Sequence, residues 1–367
     1  MTTRLGRRPR LAVAGVLTAA LVAAPATATA GGTSELQREV DAVVAAGATS
    51  ATAEISTADR RVRASSGTAV AGSNRPVPAN ARFRIGSQTK AFLATVVLQL
   101  VDENQLRLDD TVGSLLPGVV PDGDRITVRQ LLNHSSGLYE VLATMPNPRS
   151  EEFLKIRWNT WTTAELVARA TAYPLVFTPG SKVQYNNTGY LVLGLIVEKL
   201  TGTSYADQIE RRVIRPLHLS GTSVPGTNPF VPGPHAHGYL PLQRNGVVEL
   251  VDITTVNPSI MNAAGEMIST TRDLNRFFGA LLDGDLLPAH LLAELKTTAH
   301  NSPYGLGLIS RSLSCGTAWG KDGDAPGYST WTFVSPNNTR RVTVSVTWGA
   351  GNHKAAVNAL LDKELCR

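Results

Sequence analysis

The chain of 367 residues carries 35 Lys and Arg against 29 Asp and Glu, a formal charge of +6, yet Arg4, Arg7, Arg8 and Arg10 crowd its first ten residues and residues 1–30 hold no acid. The remaining balance of 31 to 29 removes the electrostatic footing of a nucleic-acid-binding surface. With 43% apolar and 17% charged residues, only two cysteines and no period in Gly or Pro, the disordered, collagen-like and disulfide-dense classes are excluded as well.

Residues 4–10 form a positive n-region, Leu11–Ala24 an apolar h-region, and Ala28-Thr29-Ala30 an A-x-A cleavage site, so residues 1–30 are expected to be a secretory signal peptide. The apolar run falls short of the ~20 residues a membrane anchor needs. No later stretch reads as a span, so the mature protein is expected to be secreted, extracellular and without a stable membrane anchor. Cys315 and Cys366 are the only cysteines, and an even pair in an oxidising compartment is most simply a disulfide.

Glu35–Ala46 predicts a helix with Leu36, Val40, Val43 and Val44 on one face. Ala51–Thr57 and Arg61–Ser66 read as short strands around the turn Ala58-Asp59-Arg60. Ser87 opens a helical run, AFLATVVLQLVDENQL, apolar over most of its circumference and therefore buried. Helices are expected at Val128–Leu132, Thr163–Ala172, Gly189–Leu200, Ser204–Ile214 and Thr271–Leu282, joined by Pro/Gly loops. The period then changes: Ser329–Ser335 and Arg341–Trp348 alternate as strands around Pro336-Asn337-Asn338, and Lys354–Leu365 is a final helix. This order implies an α/β fold: an antiparallel sheet built from both chain ends, flanked by helices, with a mostly helical inserted unit. The expected division is 31–85 with 297–367 as the sheet unit and 86–296 as the helical unit, with the active site at their interface.

Three short motifs carry chemistry. In Ser87-Gln88-Thr89-Lys90 the i, i+3 spacing brings the hydroxyl and the amine to one helix face. A serine needs a neighbour to take its proton, and a desolvated lysine with a lowered pKa can do so. Isolated S-x-x-K is common at surface helix starts, but Lys90 heads an apolar helix where an unpaired ammonium costs several kcal/mol. Tyr185-Asn186-Asn187 supplies a phenol that can relay a proton and an amide that can hold a substrate carbonyl and the lysine; its bland reading is a loop tyrosine with a helix-capping asparagine. Lys321-Asp322-Gly323, before Pro326-Gly327-Tyr328 and a strand, offers a cation that lowers the pKa of Lys90 by repulsion and of Tyr185 by attraction. Gly323 would let a substrate backbone approach an edge strand closely.

In this order and spacing, S-x-x-K, Y-x-N and K-x-G resemble the active-site set of the serine penicillin-recognising enzymes, the D,D-carboxypeptidases and class C β-lactamases. FRIGSQTKAFLATVVLQLVDENQLRLDD, RITVRQLLNHSSGLYE, FTPGSKVQYNNTGYLVLGLIVEKLTG, HAHGYL, YGLGL and LSCG look very like the soluble, secreted D-alanyl-D-alanine carboxypeptidases of actinomycetes, over nearly the whole mature chain. The resemblance implies a β-lactamase/transpeptidase-like fold and a Cys315–Cys366 disulfide. It makes Ser87 the acylated nucleophile, Lys90 and Tyr185 the proton relay, and Asn187, Lys321, Asp322 and Gly323 substrate-binding. The backbone N–H groups of Ser87 and Asp324 would form the oxyanion hole.

The chain departs from those carboxypeptidases at three positions. They carry histidine at Lys321, threonine at Asp322 and arginine at Ile309, the last two holding the substrate's terminal carboxylate. Asp322 would repel a carboxylate or be neutralised by Lys321, which puts recognition of terminal D-alanine in question and leaves acylation intact. The expected function is therefore a D-alanyl-D-alanine carboxypeptidase or penicillin-binding protein. The alternatives are a β-lactamase-family esterase, D-amino-acid amidase or β-lactamase with altered carboxylate recognition, and, in another class, a non-catalytic penicillin- or wall-binding protein. The expected partners are a peptide or small acyl substrate and β-lactams, with no nucleic acid, in a monomer. No metal or organic cofactor is implied: His235 and His237 show no acidic or cysteine partner in sequence, and no G-x-S-x-G elbow occurs.

Overall fold

The computed structural model describes residues 1–3 and 30–367. The expected leader, apart from its first three residues and Ala30, lies outside the described residues. The chain runs α1 Ala30–Ala45, β1 Ser50–Ser56, β2 Arg61–Gly67, β3 Phe83–Arg84, α2 Thr89–Asp102, α3 Val112–Leu115, α4 Val128–Leu132, α5 Glu151–Ile156, α6 Thr163–Thr171, α7 Thr188–Thr201 and α8 Tyr205–Ile209. It continues through β4 Tyr239–Arg244, β5 Val247–Asp252, β6 Ile268–Ser269, α9 Thr271–Asp283, α10 Ala289–Leu295, β7 Ile309–Leu313, β8 Gly316–Ala325, β9 Tyr328–Val334, β10 Arg341–Thr347 and α11 Lys354–Leu365. No described helix is long and apolar enough to cross a membrane.

The main sheet has the order β2-β1-β10-β9-β8-β7 with antiparallel pairing throughout, so strands from the two chain ends meet at β1 and β10. Period-two alternation gives this sheet two unlike faces. Ala51, Ala53, Ile55, Trp331, Phe333, Val342, Val344 and Val346 face α1 and α11 and pack on Leu36, Val40, Val357 and Leu361 in one apolar cluster. The opposite face presents buried Thr52, Thr330, Thr332 and Thr343. Three of these hydroxyls are paired with the inserted unit: Gln88 Nε2 donates to Thr330 Oγ1 (3.0 Å), Thr332 Oγ1 to Gln88 Oε1 (3.1 Å), and Thr343 Oγ1 to Asn275 Oδ1 of α9 (2.8 Å). A hydrogen-bonded polar seam fixes one register where an apolar contact could slide. It anchors Gln88, the neighbour of Ser87. The apolar α2 runs through the second core with α7 and α9, where Phe92 stacks on Phe277 at 3.7 Å between ring centres.

The mostly helical middle third also holds an antiparallel hairpin, β4–β5. The segment Ile309–Ala325 holds two strands that the motif-based reading left unassigned, and Lys321-Asp322-Gly323 lies within β8 itself. Cys315 and Cys366 are bonded, tying the end of α11 to the β7–β8 turn.

Candidate active site

Ser87 sits in a short 3-10 turn, Gly86–Gln88, that leads directly into α2. Gly86 has φ +52°, and a Cβ there would stand 2.2 Å from the carbonyl oxygen of Asp324. The turn therefore lies flat on the end of β8, and any side chain at 86 would push Ser87 off Asp324. Gly323 works from the other side: a Cβ on it would lie 2.1 Å from Ile85 O and 2.9 Å from Ser87 N. The expectation that Gly323 makes room for substrate backbone is thus corrected, because the space it leaves is occupied by the turn carrying Ser87. The edge character of the strand is real, since β7 begins opposite Gly320 and leaves Lys321–Ala325 without a β7 partner.

One turn into α2, Lys90 is fully buried, and its Nζ meets Ser87 Oγ at 3.1 Å, Asn187 Oδ1 at 2.8 Å and Ala264 O at 2.6 Å. Burial pushes the Lys90 amine well below the usual lysine value, and repulsion from Lys321 adds to this. A neutral amine has two N–H donors and one lone pair. Asn187 Oδ1 and Ala264 O can only accept, so they take both donors and leave the lone pair facing the Ser87 hydroxyl. Tyr185 Oη donates to Ser87 Oγ at 2.7 Å. Burial raises the Tyr185 phenol well above the ordinary tyrosine range, and the Ser87 hydrogen bond opposes this only in part. The expected bias of Tyr185 toward phenolate is therefore overturned: desolvation of the ring dominates, and the group is a neutral proton donor.

Asn187 stands at the N-terminus of α7 but does not cap it; the neighbouring Asn186 Oδ1 accepts from Gly189 N (2.8 Å) and frees Asn187 for the lysine. Glu140 then fixes the Asn187 amide, accepting from its backbone N (2.7 Å) and its Nδ2 (2.9 Å), which turns Oδ1 toward Lys90. Lys321, buried on β8, donates to the Asp322 carbonyl (3.1 Å) and to Asp322 Oδ1 (2.6 Å), while the Asp322 side chain stays half exposed. The pairing with Lys321 outweighs burial and holds the Asp322 carboxyl below the usual range. Ser87, Tyr185, Asn187, Lys321, Asp322, Gly323 and Asp324 line one cleft of about 290 Å³ with Leu142, Met261 and Tyr304. Ile309 does not line it and packs with the α1/α11 cluster.

The sequence motifs missed Glu140, the Ala264 carbonyl, Tyr304 and His134. His134 is buried against Tyr185, with ring centres 4.4 Å apart, and accepts from Asn186 N; burial and the two nearby lysines lower its pKa well below the ordinary value. None of the four had a recognisable spacing, although His134 and Glu140 lie within the quoted RITVRQLLNHSSGLYE segment. His237 Nδ1 does have an acidic partner, Asp252 Oδ2 at 2.6 Å, but among the described residues no group of three or more such side chains could hold a metal ion.

The Ala264 carbonyl is carried by a segment that ends on buried Glu266, which accepts from Tyr205 Oη and from Gly226 N (2.9 Å). Burial pushes the Glu266 carboxyl up to about 7 from 4.5. The folded state thus favours the protonated acid. Its contribution, on the order of 3 kcal/mol, is fully present below about pH 4.5 and lost as pH rises through about 7. Thermal melts from pH 5 to 8.5 should fall with pH, and Glu266→Gln should flatten the slope; equal slopes in both proteins would contradict this.

The sequence model of the family described as Beta-lactamase matches residues 36–367. A D-stereospecific amidohydrolase from Streptomyces sp. is 39% identical with a TM-score of 0.81, over 89% of this chain and 98% of its own. A D-amino acid amidase from Ochrobactrum anthropi SV3 is 28% identical with a TM-score of 0.79, over 90% and 97%. Penicillin-binding protein 4* of Bacillus subtilis (strain 168) is 28% identical over 70% of this chain and 58% of its own length. Penicillin-binding protein 4 of Amycolatopsis lactamdurans is 35% identical over 40% and 37%. The chain therefore spans little more than half the length of the first of these curated relatives and just over a third of the second.

Proposed function

The chain belongs to the β-lactamase family of serine hydrolases, and on that premise we propose that Ser87 is its acylated nucleophile and that its substrates are amides of D-amino acids. Neutral Lys90 takes the Ser87 proton as Oγ attacks the carbonyl carbon. The backbone N–H groups of Ser87 and Asp324 receive the oxyanion, and Tyr185 passes a proton to the leaving amine. Water then cleaves the ester by the same relay in reverse, which releases the acid and restores Ser87. Asn187 holds Lys90 and the substrate carbonyl, and Glu140 is a positioning residue that acts through Asn187. The sheet unit, 31–85 with 297–367, and the helical unit, 86–296, form the two walls. Export to an oxidising compartment is supported by the leader pattern and by the Cys315–Cys366 bond.

The observation that carries the choice of an amide over a terminal carboxylate is the Lys321–Asp322 pair at 2.6 Å. The Lys321 cation beside Tyr185 is already neutralised, and a half-exposed carboxylate lines the cleft, where it would repel a substrate carboxylate. The full-length likeness to two enzymes of D-configured substrates points the same way. A second reading, a penicillin-binding D-alanyl-D-alanine carboxypeptidase, is favoured by the relatives named penicillin-binding proteins. Rates on D-Ala-D-Ala peptides and their C-terminal amides separate the two. The amide should be preferred, and Asp322→Thr should move the ratio toward the free acid by roughly tenfold, as expected when a like charge is removed. A strong wild-type preference for the free carboxylate would overturn the first reading in favour of the second.

A further inference from the structure

A groove of about 810 Å³ lies at the other end of the main sheet from Ser87, lined by one face of α9, the β1–β2 turn and the start of β10. The strand register sets the separation. Arg341 of the groove pairs with Ser56 and Val334, whereas Asp324 of the cleft pairs with Ser329, which faces Val346, five residues or about 17 Å further along β10. The groove and the cleft share no lining residue. Five arginines from three places in the chain converge on the groove: Arg60 and Arg61 at the β1–β2 turn, Arg272 and Arg276 on successive turns of α9, and Arg341 on β10. Gly279 makes room for the last of them, since a Cβ there would stand 2.9 Å from Arg341 Nε, and Asp283, one turn on, accepts from the same guanidinium. Arg60, Arg61, Arg272 and Arg276 are exposed and make no ion pair or side-chain hydrogen bond among the described residues. With Asp59 and Asp285 the lining holds five arginines and three aspartates, an excess of two that equals the whole excess of residues 31–367.

We infer that this groove binds a linear polymer of polyol phosphates and so docks the protein on such a polymer at a site apart from Ser87. Every cation in the lining is an arginine, whose planar fork matches phosphate oxygens in pairs where a lysine offers only a point charge. Four of the five are free to do so, because Asp283 engages only Arg341. Arg272 and Arg276 repeat at about 6 Å along α9, a spacing that meets successive charges of an extended chain rather than one compact anion. Asp59 and Asp285 can only accept hydrogen bonds, so a polymer with free hydroxyls between its phosphates fits them, and one of bare anions does not. No described residue of the lining is aromatic, so the groove lacks the stacking platform that single-stranded nucleic acid uses.

The test titrates the full chain with poly(glycerol phosphate), single-stranded DNA and poly-glutamate, three polymers with one negative charge per repeat, over a series of salt concentrations. Poly(glycerol phosphate) should bind most tightly, since it alone sets a free hydroxyl beside each phosphate. Arg272→Gln combined with Arg276→Gln should weaken that binding about tenfold or more and reduce the slope of log K against log salt by roughly 1. Arg60→Gln, in an exposed turn, should weaken it in the same direction by less, and thermal melts of both variants should match wild type. Asp59→Asn with Asp285→Asn should narrow the preference over poly-glutamate. Absence of binding to all three polymers, or binding that the arginine variants leave unchanged, would overturn the inference. Tighter binding of DNA would assign the groove to nucleic acid and tighter binding of poly-glutamate to a polycarboxylate, and either result overturns the polyol-phosphate assignment. Self-association that the double arginine variant abolishes, without polymer binding, would make the groove a contact between copies and overturn it as well. The titration involves no chemistry at Ser87, so its outcome is independent of whether Ser87 is acylated.

Discussion

Lys90→Met should acylate Ser87 at least about 10³-fold more slowly than wild type, the scale of a lost general base. Methionine matches the length and burial of the lysine stem but offers no lone pair to the Ser87 hydroxyl, and it leaves Asn187 Oδ1 and Ala264 O without their donor. Those two orphaned acceptors should also cost about 1–3 kcal/mol each in stability, offset in part because no amine need be desolvated. Lys90→Arg separates the chemistry from the packing, since a guanidinium restores donors but cannot accept the proton. Both variants should therefore be slow. Stopped-time mass measurement of the acyl-enzyme reads the rate directly, and an arginine variant within tenfold of wild type would show that Lys90 only holds the cleft together.

Lys321→Ala should slow acylation by roughly tenfold or more near pH 6 and by less in alkaline solution. The sign follows from the charges around Lys90. Beyond burial, Lys321 lowers the Lys90 pKa by repulsion, whereas Glu140 and Asp322 raise it. Without Lys321 the two carboxylates act unopposed by a cation, the Lys90 pKa rises, and the neutral base becomes scarce until the pH is higher. The acid limb of the acylation profile should move to higher pH, and Asp322→Asn in the same background should move it back. Superimposable profiles for wild type and Lys321→Ala would make Lys321 a bystander.

The motif residues were legible because each is distinctive in type and spacing. Ser87 and Lys90 share a helix face by geometry, and the unusual placement of a lysine at the head of an apolar helix already demanded a partner. That partner was harder to see. Ala264 contributes only a backbone carbonyl, for which no residue type is a signal, and Glu140 reaches Asn187 across 47 positions of sequence. Strands β1, β2, β9 and β10 were legible from alternation, since their apolar residues meet α1 and α11. In β8 the pattern fails, because Lys321, Asp322, Gly323 and Asp324 serve the cleft and the turn below it rather than a core. The β4–β5 hairpin carried a usable signal: Asn245-Gly246, both at positive φ, sits between alternating segments and marks a tight turn. Ile309 illustrates the converse limit, since an aligned position can be assigned from resemblance while the side chain there packs away from the cleft.

The central claim is a covalent one, that Ser87 carries the acyl group. Intact-mass measurement after brief incubation with a labelled penicillin and with an activated D-aminoacyl ester, followed by peptide mapping, tests it most directly. A single acyl mass on the peptide that contains Ser87, absent from Ser87→Ala, is the predicted result. Turnover of either compound with the label absent, or found on another residue, would contradict it.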